Sequence, residues 1–154
     1  MRIHCRRPVA SVLLLTALVV FQAFPAARAE DGAESPMETL EGGEIAVLHH
    51  PDDARYASRV LAIYDSKAPS IAVSMGLSTL SPLRVLIAST DEEFAEFSYY
   101  GAPDWGVGCA LPEKGLIVLK SPRIVSYPLQ MEAVVEHELA HIAAGRVLRG
   151  IEVP

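Results

Sequence analysis

Two histidines four residues apart bracket an acidic residue in the run His137-Glu138-Leu139-Ala140-His141. On an α-helix, positions i and i+4 share one face, with β-carbons about 5–6 Å apart. Two imidazoles so placed can converge on one zinc ion at about 2.0–2.1 Å per bond. Glu138 is rotated about 100° from His137 and about 60° from His141 around the helix axis. Its carboxylate can therefore reach water at the metal without ligating the metal itself. Zinc lowers the pKa of bound water toward about 7, and an adjacent carboxylate then takes the proton. The chemistry this spacing offers is attack of activated water on a polarised carbonyl, as in hydrolysis of a peptide bond. His137 and His141 are thus candidate metal ligands, Glu138 is the candidate general base, and Zn2+ is the expected cofactor. A pair of core histidines without metal would leave Glu138 unexplained, since a buried carboxylate is costly unless partnered.

A helix must position these residues. One is predicted from near Pro128 to about Leu148, with Gly150 as its C-cap. Met131, Val134, Val135, Leu139, Ala140, Ile142, Ala143, Val147 and Leu148 cover most of its circumference. That pattern predicts a helix buried nearly all round. Glu132 and Glu136 flank the motif and read as solvent-facing or supporting residues.

The upstream elements follow from periodicity and turn residues. Glu44 to His49 is the expected first strand, after a polar linker over 30–43. Pro51-Asp52-Asp53 starts a helix, with Asp as N-cap, that runs to about Met75 and ends at Gly76. Pro69 is expected to kink or interrupt it. Leu83 to Ala88 is a strand, and Thr90-Asp91-Glu92-Glu93 is a capping box opening a short helix with Phe94 and Phe97 inward. Val107 to Leu111 and Leu116 to Lys120 are strands joined by the turn Pro112-Glu113-Lys114-Gly115. Trp105 is expected to anchor the loop before them. The predicted class is α+β, a mixed twisted sheet packed on helices.

The N-terminus has a basic stretch, an apolar run of 16 positions from Val9 to Phe24, and Ala27-Arg28-Ala29. These describe a secretory signal peptide over 1–29, cleaved before Glu30. A spanning anchor needs about 20 apolar residues. Removing Arg2, Arg6, Arg7 and Arg28 from the 13 basic residues leaves nine against 19 acidic ones, a net of −10. Such a chain disfavours nucleic acid and anionic membrane surfaces as partners. The expected location is periplasmic or extracellular, with no membrane attachment after cleavage. Cys109 is the one cysteine beyond the signal, so no internal disulfide is expected, and it reads as a small core residue. His49-His50 reads as an exposed pair at a strand end.

With these motifs in order, the chain resembles the gluzincin branch of zinc metallopeptidases, and more narrowly the exported bacterial proteins with a peptidase MA-like domain. The resemblance covers about Glu44 to Pro154 (the domain taken as 44–154). It rests on Trp105-Gly106-Val107-Gly108-Cys109-Ala110-Leu111-Pro112, on Gly115-Leu116-Ile117-Val118-Leu119, and on His137-Glu138-Leu139-Ala140-His141. It implies a twisted mixed sheet over a zinc helix, with His137 and His141 on zinc and Glu138 as base. It also implies an edge strand, here Val107 to Leu111, that binds substrate backbone by strand addition through Gly108, Cys109 and Ala110. The substrate would be a peptide or protein. The metzincin pattern does not fit, because it wants Gly and His where this chain has Ala144 and Val147.

The resemblance further implies a glutamate third ligand from a following helix, in a Trp-x-x-Glu-Gly-x-Ala context. Only 13 residues follow His141, and Glu152 sits too close to the turn to return to the metal. The expectation is therefore the N-terminal portion of an exported metallopeptidase, inactive as it stands. The alternative is a degenerate, non-catalytic domain that binds peptides or a partner through its edge strand.

Overall fold

The computed structural model describes residues 36–102, 106–126, 128 and 130–150. The expected signal peptide (1–29), the first part of the linker, Trp105 and Glu152 lie outside the described residues. The elements are β1 (Glu38–Glu41), β2 (Ile45–His49), α1 (Ala54–Ser74), β3 (Leu83–Ala88), α2 (Asp91–Phe97), β4 (Gly108–Leu111), β5 (Leu116–Lys120) and α3 (Met131–Gly150). They form an α+β fold, one five-stranded mixed sheet packed against three helices.

The sheet order is β1-β2-β3-β5-β4. β2, β3 and β5 run parallel, and the two outer strands are antiparallel to their neighbours. Burial follows from that order. Every residue of β5, Leu116 to Lys120, is buried, as expected for a strand paired on both edges and covered on both faces. Ile45, Val47, Val85, Ile87, Ile117 and Leu119 pack with Tyr56, Val60 and Ile63 of α1 and Val135, Leu139 and Ile142 of α3. Leu116 and Val118 pack with Phe94 and Phe97 of α2 and with Cys109 and Leu111. α1 and α3 therefore cover one face and α2 the other.

Several expectations change. Part of the predicted linker is strand β1, hydrogen-bonded to β2 around a turn at Gly42 and Gly43, with Gly43 at φ 74°. Glu38-Thr39-Leu40-Glu41 carries one apolar side chain, Leu40, against the core. An edge strand needs no more than that, because its pairing comes from the backbone. α1 runs unbroken through Pro69, held by a buried stripe that continues through Tyr64, Ala68 and Ala72. It closes at Met75, with Gly76 at φ 73°, a backbone region that favours glycine. The capping box is half formed. Thr90 Oγ1 accepts from the Glu93 amide at 3.1 Å, but Glu93 Oε2 accepts from the Ser89 amide at 2.6 Å instead of from Thr90.

α3 begins at Met131 and is not buried all round. Val135, Glu138, Leu139, Ile142 and Ala143 are buried, whereas His137 and His141 are exposed and Leu148 is 68% exposed. The apolar count along this helix overstated its burial because Met131, Val134, Ala140 and Val147 are only half-buried and Leu148 is exposed.

Two contacts fix α3 to the sheet. Arg146 donates to the carbonyls of Ser81 and Pro82 at 2.7 and 2.8 Å, on the segment that enters β3. Gly145 lies against the turn after β4, where a β-carbon would come within 2.2 Å of the Pro112 Cβ. Gly145→Ala is therefore expected to destabilise the fold by about 1–3 kcal/mol, the usual range for overpacking. The clash outweighs the gain of about 0.8–1.0 kcal/mol from alanine's helix preference. Urea unfolding of the variant should show a lower midpoint, and an unchanged or higher midpoint would remove this contact from the account.

Candidate metal centre and groove

His137 and His141 sit one turn apart on the open face of α3. Their Nε2 atoms are 3.0 Å apart, with ring centroids at 4.6 Å and planes at 84°. Two nitrogens bound tetrahedrally at about 2.0–2.1 Å lie about 3.3–3.4 Å from each other. The two Nε2 atoms stand within hydrogen-bond distance of each other, and a few tenths of an ångström of separation would bring them to the spacing of two zinc donors. They fit zinc as a pair. Among the described residues, no group of three or more His, Cys, Asp or Glu side chains is placed to hold a metal.

Glu138 faces inward between them and is 6% exposed. The antiparallel edge strand β4 receives it. A β-carbon on Gly108 would fall 2.7 Å from Glu138 Oε1 and 3.0 Å from its Cγ, so only glycine lets the carboxylate lie this close to the strand. Burial raises the Glu138 pKa above its ordinary value. The charges of His137 and His141 and the nearby Ala110 backbone amide act against that rise.

The ladder explains why that amide is available. Lys120 donates to the Val107 carbonyl at 3.0 Å, which starts the alternation of bonded pairs with β5. In an antiparallel pair, every second residue turns its N–H and C=O away from its partner. Gly108 and Ala110, opposite Leu119 and Ile117, are those residues. Between this strand edge and α3 runs a groove of about 610 Å³, walled by Gly106 to Ala110 and Pro112 on one side and by Gln130, Ala133, Val134, His137, Glu138 and His141 on the other.

No protein-family model matches the chain, and no curated protein matches it either.

The other sequence candidates fall into place around this site or away from it. Gly108 and Ala110 line the groove beside Glu138. Cys109 borders it too, but the strand pleat turns its thiol to the α2 face, against the cluster of Ala88, Phe94, Leu116 and Val118. Burial raises the Cys109 pKa, and the Glu138 charge adds to the effect. Glu132 and Glu136 face solvent and pair with Lys67 of α1 at 2.9 and 3.4 Å.

His49 and His50 are buried, not exposed as expected. The His49 ring Nδ1 lies 2.8 Å from the His50 carbonyl, and His50 Nε2 lies 2.8 Å from Glu93 Oε1. Neither joins the α3 histidines. They belong to a polar cluster at the ends of the parallel strands, centred on Asp53.

Asp53 stands at the N-cap position of α1, as expected, but its side chain bonds no α1 amide. It is 2% exposed and accepts from Ser121 Oγ at 2.6 Å, Ser89 Oγ at 3.0 Å, and Arg123 Nε and Nη2 at 3.1 and 2.9 Å. Burial alone would raise its pKa. The hydrogen bonds from Arg123, Ser121 and Ser89, with the Arg123 charge, outweigh burial and hold the carboxyl below its usual range. No spacing rule joins residues as distant in the chain as Asp53 and Arg123.

Proposed function

We propose that the chain carries the zinc-binding and general-base portion of an exported zinc-dependent metallopeptidase of the gluzincin type. The observation that supports this most is the approach of the His137 and His141 Nε2 atoms to 3.0 Å, with the buried Glu138 carboxylate beside them at an open strand edge. His137 and His141 would hold the ion. Zinc, when bound, supplies Lewis acidity toward a substrate carbonyl and toward water. Glu138 accepts a proton and returns it to the departing amine. The open N–H and C=O groups of Gly108 and Ala110 align an extended peptide along the groove. A third protein ligand comes from outside the described residues. Substrates are peptides or proteins, and the acidic chain disfavours nucleic acid. The proposed setting is periplasmic or extracellular. Among the described residues, no helix is long and apolar enough to cross a membrane.

A second reading is a non-catalytic domain that binds peptides through β4. The strand edge favours it, because Gly108 and Ala110 offer backbone groups that need no metal.

Zinc titration separates the two. One equivalent should bind the chain, and His137→Ala or His141→Ala should each weaken binding at least about tenfold, the lower end of what loss of even an outer-shell partner costs. Affinity unchanged in both variants would sink the metallopeptidase reading and leave the peptide-binding one.

A further inference from the structure

We infer that the substrate groove continues past His141 into a second hollow, which takes an apolar residue of the bound peptide followed by an acidic one. The inference rests on the proposed pairing of an extended peptide with β4 and adds a substrate preference to it.

The hollow holds about 390 Å³ and lies between the end of β4 and the last turns of α3. Pro112 borders both this hollow and the groove beside the histidines. β4 and α3 run alongside each other in the same direction, because Gly108 meets Glu138 and, further along both elements, Pro112 meets Gly145. The Pro112–Gly145 contact is thus a sill between two parts of one cleft. Reach is no obstacle. At 3.3–3.4 Å per residue, Gly108 to Pro112 spans about 13 Å. A peptide paired with Gly108 and Ala110 therefore arrives over the hollow with its next few residues.

The lining sets what the hollow accepts. Leu111 and Leu148 give it apolar walls, and Leu148 is 68% exposed. An apolar side chain laid there removes that surface from water. Lys114 and Arg149 stand at the rim, both exposed. Lys114 Nζ lies 3.9 Å from the centre of the Tyr99 ring, and Arg149 donates to the carbonyls of Gly145 and Pro112. Those contacts place the two cations without neutralising them. Among the described residues, neither pairs with a carboxylate. Glu113 is the one acidic residue in the lining, so the corner is positive on a chain of net charge −6. An acidic side chain is complementary to this corner and to little else on the surface.

Binding of N-acetyl-Thr-Val-Thr-Val-Thr-Leu-Asp-amide and of N-acetyl-Asp-Leu-Thr-Val-Thr-Val-Thr-amide to the metal-free chain provides the test. The two orders cover both directions of strand addition. At least one should bind, and replacing its Asp by Lys should weaken it about three- to fivefold at low salt, as for one or two solvent-facing ion pairs. Molar salt should erase that difference. Lys114→Glu should reverse the preference. Leu148→Ala, at an exposed position, should weaken the peptide several-fold but leave a version with Gly in place of Leu unaffected. Asp and Lys peptides that bind alike overturn the inference, as does a preference that survives Lys114→Glu. Equal binding by a peptide lacking the Leu-Asp flank also overturns it, and means that something other than substrate covers the hollow. Failure of both orders to bind overturns it together with strand addition at β4. Zinc titration of the same samples judges the metallopeptidase reading separately, because it depends on His137 and His141 and on no residue of the hollow.

Discussion

Glu138→Gln is expected to slow zinc-dependent peptide hydrolysis by about 10²- to 10⁴-fold, the usual contribution of a positioned general base. The amide keeps the shape of the carboxylate and its place against Gly108, but it cannot take a proton. Zinc affinity should stay close to that of wild type, because Glu138 is not a ligand in this account. Two donors alone leave a metal loosely oriented, and catalysis needs tight placement of ligand, base and carbonyl. Hydrolysis is therefore best compared in a form with a complete ligand set, to which a helix bearing Trp-x-x-Glu-Gly-x-Ala is appended to supply a third donor. The rate comparison for glutamine belongs in that appended form, read as chelator-sensitive cleavage of a quenched fluorescent peptide library. A glutamine variant as fast as its parent would remove Glu138 from the chemistry. One that loses zinc as well would recast Glu138 as a ligand.

Asp53→Ala should cost about 3 kcal/mol of stability, because it strips four hydrogen bonds from a cluster joining α1, β3 and the segment after β5. Arg123 is 46% exposed and can turn to water, which keeps the loss at the low end for a broken ion pair. The pH dependence has a definite sign. The folded-state pKa of Asp53 is depressed, so its contribution is complete above the unfolded value of about 3.9 and is lost as pH falls through the lower folded value. Wild-type and alanine chains should therefore differ most in urea midpoint near pH 7 and converge in strong acid. A difference that grows on acidification would contradict the network's role.

The sequence was most legible where local pattern and tertiary environment agree. Leu83 to Ala88 and Leu116 to Lys120 are strands with the bounds their apolar runs suggest, because β5 is buried on both faces and β3 exposes only Arg84. β1 escaped notice because an edge strand hides nothing on its outer face. The motif on α3 declared its own geometry, since i and i+4 spacing brings two rings together whatever surrounds the helix. What covers that helix is a tertiary matter, and its apolar residues did not reveal that the histidine face is open. Gly108 could have been noticed as a glycine within a strand, which often marks close approach of another group. Asp53 could not, since its donors lie 36, 68 and 70 residues away in the chain.

The proposed convergence of His137 and His141 on one ion is tested most directly by X-ray absorption at the zinc edge, on the chain loaded with one equivalent. Two imidazole nitrogens are expected at about 2.0–2.1 Å, one of them lost in His137→Ala and one in His141→Ala. A zinc environment without histidine scattering, or one identical in the double variant, would contradict it.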